Sequence, residues 1–334
     1  MRRLWPCLLA IAAGCRVEIG APAAANSGEA ATVRIYTSVY KHVLDALQPA
    51  IEERLRAQGL GAARIEWFQS GSEKVAARID AELASGGSPC DVLLTADPTY
   101  YARLKKEGAL AAYVSPAALR QPREYVDPDG AWAMSRMMTM VIVASPALPE
   151  ARTPRSWAGL ASGDLRVALG DPLSSGTNLM AVGALAGKFG WPWFRALKQA
   201  GGVVAGGNAS VLQRVESGES DAGVVLLENV LAARARGSRV RLVLPTDGAL
   251  VIPGPIALLQ HGRRSEAARA VYDALLSDEV QRVLVREALL HSPDPKLPPP
   301  PGAPPLSDLL LARLPLSTQP PEGTKAAFNQ VFFQ

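Results

Sequence analysis

The run Val33-Arg34-Ile35-Tyr36 predicts a short β-strand, and from residue 39 to residue 59 the apolar residues recur at helical spacing. That helical face consists of Val43, Leu44, Leu47, Ile51 and Leu55. Further strands are predicted at residues 64–68 and 91–95, each with a helix after it. An order of strand and helix that alternates in this way predicts a largely parallel sheet with helices crossing over its faces. The first part of the chain is therefore expected to be an α/β unit.

A second alternating block follows, and two apolar segments enclose it. Residues 137–144 and 250–260 are predicted to be strands that pass between the two blocks. Between them, a strand at residues 166–169 and a helix at residues 177–189 begin the same alternation again. We therefore predict an α/β protein with two lobes and crossing hinge strands. The predicted lobes are residues 30–136 with 255–334 for lobe one, and residues 137–254 for lobe two.

The composition fits a folded and exported protein. Of the 334 residues 48% are apolar and 20% are charged, which can bury a sizeable core and excludes global disorder. The net charge is only +4, part of it in Arg2 and Arg3, so we expect no nucleic-acid partner.

The first 25 residues have the layout of an export signal, with a basic start, a short apolar run and small residues before Asn26. Alternatively, Ala12-Ala13-Gly14-Cys15 resembles a bacterial lipobox that ends at Cys15, the residue that would carry the lipid. The predicted location is therefore the periplasm, either free or as a membrane-anchored lipoprotein that faces it.

Turns rich in hydroxyl groups follow the predicted strands in both blocks. In open parallel sheets, ligands bind beyond the carboxyl ends of the strands, where helices begin. Serine, threonine and glycine offer neutral hydroxyl and amide donors there, and such donors at helix N-termini suit an anion. The candidate ligand-binding residues are Ser38, Gly71, Ser72, Thr95, Asp97, Ser174, Ser175, Gly176, Thr177, Asn208 and Glu228. Any single one could be only a helix N-cap, but the convergence of several on one cleft favours a binding site.

Three charged residues need a separate explanation. A carboxylate repels a phosphate, so Asp97 and Glu228 fit a ligand site only if they accept from hydroxyls or an ammonium elsewhere on the ligand. Glu228 could instead be a solvated acid at a helix start. Arg136 lies at the proposed crossing, where it could meet an anion or form a surface salt bridge.

Sequence motifs for catalysis and for metals are not found. The chain has no GxSxG, no GxxxxGK[ST] and no HExxH, and its three histidines are far apart. We therefore expect no enzyme activity, no metal and no cofactor.

Several of these segments together resemble the periplasmic substrate-binding proteins of ABC importers, in the group that includes ferric-ion and sugar-phosphate binders. The similar segments are Tyr36-Thr37-Ser38, Asp91-Val92-Leu93-Leu94, Asp171-Pro172-Leu173-Ser174-Ser175-Gly176-Thr177 and residues 71–79, 215–223 and 277–281. The resemblance covers about residues 32–290. It implies a type II-like periplasmic-binding-protein fold whose lobes close on a solute about a hinge. It also implies an ABC permease in the inner membrane as partner, and we expect a monomer.

The ligand class follows from comparing residues within that group. Ferric binders of the group use a tyrosine pair just after the strand that corresponds here to residues 224–227, where this sequence has Leu226-Leu227-Glu228-Asn229. The hydroxyl-rich turns and Glu228 are more similar to binders of hexose phosphates or phosphonates. By that resemblance, the phosphoryl group of a small anionic solute would be held by Ser38, Ser72, Ser174, Ser175 and Thr177. Asn208 and Glu228 would hold sugar hydroxyls or an amine.

Three other functions stay open at the level of the sequence. The first is a ferric-ion binding protein of an iron importer. The second is a ligand-sensing regulatory protein that contacts a membrane histidine kinase in place of a permease. The third is a secreted enzyme that acts on a phosphoester.

Overall fold

The computed structural model describes residues 31–162, 164–311, 313–316 and 321–334. The predicted export signal at residues 1–25 and the alternative lipid attachment at Cys15 lie outside the described residues. Within those residues, no helix combines the length and the apolar composition that crossing a bilayer requires.

A single hydrogen-bonded sheet contains the ten strands of the described residues. In chain order they are β1 (Thr32–Thr37), β2 (Arg64–Gln69), β3 (Val92–Leu94), β4 (Leu110–Ala111), β5 (Ala133–Ala144), β6 (Val167–Leu169), β7 (Val203–Val204), β8 (Ala222–Leu226), β9 (Arg241–Val243) and β10 (Leu250–Leu259). Across the sheet the order is β2-β1-β3-β10-β5-β8-β6-β7, with β4 beside β10 and β9 beside β5.

The sheet has parallel outer parts and an antiparallel centre. β1 pairs in parallel with β2 and β3, and β6 pairs in parallel with β7 and β8. In the centre, β5 and β10 run antiparallel to each other, and each is antiparallel to its outer neighbour. The prediction of a largely parallel sheet, made for the first alternating block, is therefore confirmed by β1, β2 and β3, whereas the antiparallel pairing of the two central strands was not predicted. The two central strands are the segments that were predicted to cross between the blocks.

Helices cover the sheet and connect its strands. They are α1 (Lys41–Ala57), α2 (Ser72–Ala84), α3 (Pro98–Lys106), α4 (Trp157–Leu160), α5 (Gly176–Gln199), α6 (Asn208–Glu216), α7 (Leu227–Ala235), α8 (Glu266–Leu275), α9 (Asp278–Arg286), α10 (Leu306–Leu311) and α11 (Pro321–Phe332). The buried face of α1 consists of the five apolar residues whose spacing predicted that helix.

One helix is longer than its predicted boundary at Phe189. α5 continues through a kink at Gly190, whose φ of 72° is accessible to glycine at little cost, and Pro192 then occupies an early position in the second part. The kink turns the chain so that Phe194 faces inward, where it is fully buried.

The C-terminal helix α11, which no sequence pattern predicted, packs against α5. The rings of Phe194 and Phe328 meet edge to face with their centroids 6.2 Å apart, and both side chains are fully buried. Residues 255–334 were predicted to complete lobe one, so this contact joins segments that the sequence assigned to different lobes. The lobe boundaries remain a prediction.

Candidate ligand-binding cavity

A cavity of about 250 Å³ lies where the carboxyl ends of the outer strands from both halves of the sheet meet. Eight of the predicted residues line it, namely Ser38, Gly71, Ser72, Ser174, Ser175, Thr177, Asn208 and Glu228. The other polar or charged lining residues are Tyr40, Gln69, Ser70, Lys74 and Arg136, and the apolar ones include Val39, Met138 and Leu290. The volume is slightly below the usual range for small-molecule sites, roughly 300–1,000 Å³, which fits a small solute.

Five helices begin in the wall of this cavity. The N-caps of α1, α2, α5 and α6 are Tyr40, Gly71, Ser175 and Gly207, and Glu228 stands in the first turn of α7. Each helix start carries backbone N–H groups without intrahelical partners and a partial positive charge. Helix N-termini of this kind favour a negatively charged group.

A chain of side-chain hydrogen bonds joins two of these helix starts. The Ser175 hydroxyl oxygen accepts from Asn178 Nδ2 at 3.0 Å and lies 3.2 Å from Thr177 Oγ1. Asn208 Nδ2 donates to the same threonine oxygen at 3.2 Å. Asn208 Oδ1 is buried and has no hydrogen-bond partner among the described residues. A buried acceptor without a partner is costly, so a ligand hydroxyl or ammonium that donated to it would be favoured.

The turns before α2 and α5 touch each other at two glycines. A Cβ atom on Gly71 would lie 2.3 Å from the Ser174 carbonyl oxygen, and a Cβ atom on Gly176 would lie 2.8 Å from Ser72 Oγ. Neither glycine can be replaced by a larger residue without movement of a neighbour. Gly176 thus serves the approach of the two turns and does not line the cavity, in contrast to its predicted role as a ligand contact.

Arg136 is a buried cation in the cavity wall. It stands on β5 with 3% exposure, and its guanidinium donates to Ser135 Oγ at 3.1 Å and to the Thr95 carbonyl oxygen at 3.2 Å. Burial lowers its pKa to about 10, and the charges of Tyr101 and Glu228 oppose that shift. The guanidinium is therefore still charged at neutral pH. The alternative of a surface salt bridge at Arg136 is wrong because the side chain is buried.

Glu228 and Tyr40 are two further titratable groups in the cavity wall, and the pKa of each is shifted. Glu228 is 8% exposed, and burial raises its pKa to about 8 even though its own backbone N–H and the charge of Arg136 lower it. The alternative of a solvated acid at a helix start is therefore wrong. Burial also raises the pKa of Tyr40, and the Glu228 charge adds to that shift, whereas hydrogen bonds from Asn208 and Asn229 oppose it.

Two predicted residues, Thr95 and Asp97, lie outside the cavity lining. The backbone N–H of Thr95 donates to the Tyr101 hydroxyl at 2.8 Å, and the Thr95 carbonyl holds Arg136. Asp97 is the N-cap of α3, where one carboxylate oxygen accepts from both the backbone and the hydroxyl of Thr99. Thr95 therefore orients Arg136 through its backbone, and Asp97 stabilises a helix start.

The polar or charged lining residues that were not among the candidate ligand-binding residues of the sequence analysis are Tyr40, Gln69, Ser70, Lys74 and Arg136. The sequence could have indicated Arg136 as a site residue, because it is the one charged residue in an otherwise uncharged run from Ala133 to Ala144. The indication for Tyr40 was weaker, since it follows the first strand just before a helix, as the chosen serines do. No group of three histidine, cysteine, aspartate or glutamate side chains is placed to hold a metal ion anywhere in the described residues.

Comparisons with known proteins agree with this architecture. The family model for bacterial extracellular solute-binding proteins matches residues 31–287. None of the curated protein sequences matches the chain.

Three solved structures illustrate the likeness in fold. The periplasmic binding protein AfuA from Actinobacillus pleuropneumoniae, with fructose-6-phosphate bound, is 18% identical, with a TM-score of 0.75 over 90% of this chain and 96% of AfuA. Iron-bound HitA from Pseudomonas aeruginosa is 21% identical, with a TM-score of 0.75 over 90% and 99%. The substrate-binding protein of an ABC transporter from Agrobacterium tumefaciens is 18% identical, with a TM-score of 0.79 over 92% and 95%. These likenesses confirm the predicted α/β periplasmic-binding-protein fold.

Proposed function

The chain belongs to the family of bacterial extracellular solute-binding proteins, and we propose that the solute it captures is a small phosphorylated or phosphonate compound of the hexose-phosphate type. The solute would lie in the cavity between two lobes and pass to an ABC permease in the inner membrane. The family supports this transport role over the sensing alternative. A monomer in the periplasm that performs no catalysis fits the same proposal.

The single observation that carries the ligand class is Arg136, a charged guanidinium almost without solvent contact in a wall made of helix N-termini. Its hydrogen-bond partners among the described residues are neutral, and burying a cation without a salt-bridge partner costs free energy that a bound anion would offset. A phosphoryl group can accept simultaneously from a guanidinium, from serine hydroxyls and from backbone N–H groups. Such a group would be held by Ser38, Ser72, Ser174, Ser175 and Thr177 together with Arg136.

The part of the cavity formed by the starts of α6 and α7 supports a ligand that also has hydroxyl or amine groups. Asn208 contributes a buried acceptor without a partner, and Glu228 contributes a carboxyl whose pKa of about 8 leaves it largely protonated at pH 7. A neutral carboxyl does not repel a nearby phosphate, and it can both donate to and accept from a sugar hydroxyl. Tyr40 adds a phenol to the same part of the wall.

The positive charges of the cavity wall disfavour a bare ferric ion as the ligand. Arg136 and Lys74 both line the cavity and would repel a trivalent cation at close range. Because the structure of HitA, a structural neighbour, contains bound iron, ferric ion is included among the compounds to be tested.

Calorimetric titration of the purified protein tests the proposal. The injected compounds are glucose 6-phosphate, 2-aminoethylphosphonate, inorganic phosphate and ferric citrate, with glucose as the uncharged control. We expect submillimolar binding of a phosphorylated or phosphonate compound and none of glucose, because the phosphoryl group supplies the contacts with Arg136. Binding of ferric ion alone, or of glucose as strongly as its phosphate, would overturn the proposal.

A further inference from the structure

An ion pair connects the C-terminal helix to the helix that begins at the cavity. Lys325 on α11 donates to Glu73 on α2, two residues that are 252 positions apart in the chain. The pair is largely shielded, with 25% of the lysine side chain and 14% of the glutamate side chain exposed. Such shielding makes this pair stronger than the exposed ion pairs that are typical of protein surfaces.

Glu73 occupies a special position, because it directly follows the turn Gly71-Ser72 that touches Ser174 and Gly176 at the start of α5. α11 is itself packed against α5 through Phe328 and Phe194. The start of α2 is thus attached to α5 in two ways, directly through the two glycines and indirectly through Lys325 on α11.

Other acidic groups face this pair. Burial is the main cause that raises the pKa of Glu73, and Lys325 lowers it through a hydrogen bond and its charge. The charges of Asp97, at the start of α3, and of Glu322, on α11 itself, raise this pKa further. Glu73 thus interacts with the charges of two further carboxylates as well as with Lys325. Removal of the lysine would leave these carboxylates to repel one another across the contact between α2 and α11.

We propose that Lys325 and Glu73 form a latch, through which α11 holds the turn before α2 against the turn before α5 and so keeps the cavity closed around its solute. The inference rests on the proposed function, in which the two halves of the molecule separate to release the solute. On opening, the Lys325–Glu73 pair and the contacts of Gly71 and Gly176 separate together. Neither latch residue lines the cavity, so the latch acts on solute release through closure and not through solute contact.

The test compares Lys325→Gln and Glu73→Gln with the wild type and with Arg54→Gln as a matched control. Arg54 also joins two helices distant in the chain, since it pairs with Glu279 at 2.7 Å, but that pair links α1 to α9 away from the cavity. The first measurement is hydrogen exchange at residues 69–75 and 171–178 without added solute. The second is the dissociation rate of glucose 6-phosphate in stopped flow.

Both latch variants are expected to exchange faster at these two turns than the wild type and the control. They are also expected to release glucose 6-phosphate roughly fivefold faster, the effect of one partly shielded ion pair. The exchanged pair Glu73→Lys with Lys325→Glu should recover most of the wild-type protection, which the loss of packing alone would not explain.

The outcomes separate this inference from the proposed function. Unchanged exchange at both turns in the latch variants, in a protein that binds glucose 6-phosphate, overturns the latch and leaves the proposed function intact. Faster exchange in a protein that binds none of the phosphorylated compounds supports the latch and overturns the proposed ligand class. Equal effects in the Arg54→Gln control would also overturn the latch, because the change would then be general.

Discussion

Two groups of residues in the cavity wall are both built around helix N-termini, but their side chains differ in chemistry. One group, here called the donor part, consists of the hydroxyl-bearing starts of α2 and α5 together with the buried cation Arg136 on β5. The other group, here called the acceptor part, consists of the starts of α6 and α7, where Asn208 adds a buried acceptor and Glu228 adds a titratable carboxyl. A helix N-terminus therefore supplies a general preference for negative charge, and the side chains decide which end of a solute lies where.

The largest effect is expected where the donor part loses its charge. In Arg136→Leu, we expect the affinity for glucose 6-phosphate to fall on the order of 100-fold, about 3 kcal/mol, because a buried hydrogen-bonded cation is lost from the anion site. Calorimetry measures the loss, and circular dichroism verifies that the variant is folded.

The matched control for that substitution is Arg234→Leu. Arg234 is an exposed arginine on α7 that does not line the ligand cavity. Its removal should leave the affinity unchanged. A loss of similar size in both variants would mean that the net charge of the protein, and not a local anion site, governs binding.

The contact between the two turns should be the next most sensitive feature. In Gly71→Ala, the new methyl group would meet the Ser174 carbonyl oxygen, and we expect a loss of affinity of about 30-fold, or ~2 kcal/mol, from the steric conflict. Gly207→Ala is the matched control, since Gly207 also lines the cavity but has no atom within 4 Å of its would-be Cβ. Equal affinities of the two alanine variants would show that the turns need not touch for binding.

The contribution of the acceptor part to affinity can be distinguished from that of the donor part by its dependence on pH. Between pH 7 and pH 9 a sugar phosphate is already close to its dianion, whereas Glu228 loses its proton as the pH passes its pKa of about 8. We expect the affinity of the wild type for glucose 6-phosphate to fall about tenfold over this range, because the solute prefers the protonated carboxyl and the protonated fraction of Glu228 falls about tenfold. Glu228→Gln should bind with little pH dependence, and 2-aminoethylphosphonate, whose ammonium prefers the ionised carboxylate, should show the opposite slope.

The same group predicts how stability depends on pH. Because the folded pKa of Glu228 is raised, the folded state holds this proton more tightly than the unfolded state does. The contribution to stability is complete below about pH 4, the ordinary range of a glutamate, and is lost as the pH rises to about 8. In urea unfolding, the free energy of unfolding of Glu228→Gln should therefore increase relative to that of the wild type as the pH rises from 5 to 9. A constant difference over that range would contradict the assignment.

The smallest effect on affinity is expected from one neutral donor. Ser38→Ala removes a single hydroxyl from the cavity wall and should weaken binding about threefold, in the range of one hydrogen bond, roughly 0.5–1.5 kcal/mol. Asp97→Ala provides the contrast, because it should cost about 1 kcal/mol of stability through the lost N-cap of α3 and leave the affinity unchanged. A lower affinity of Asp97→Ala would show instead that Asp97 contributes to ligand binding.

The alternating strands and helices, and most of the turn residues at the cavity, could be predicted because both depend on short-range patterns. Val43, Leu47 and Ile51 form one buried face of α1 for the reason that the sequence suggested, namely their spacing of three to four residues. Serines that follow strands lie at helix starts for an equally local reason. The antiparallel centre of the sheet was not predicted, because strand direction depends on how distant segments pair.

The sequence by itself thus determined the fold class and the placing of neutral donors at helix starts, since hydrophobic periodicity and helix capping act over a few residues. Only the tertiary structure decided that Arg136 and Glu228 are buried, that Thr95 and Asp97 face other partners, and that Lys325 reaches Glu73. Burial and the pairing of charges depend on residues far apart in the chain, such as Lys325 and Glu73, and the folded packing alone brings those residues together.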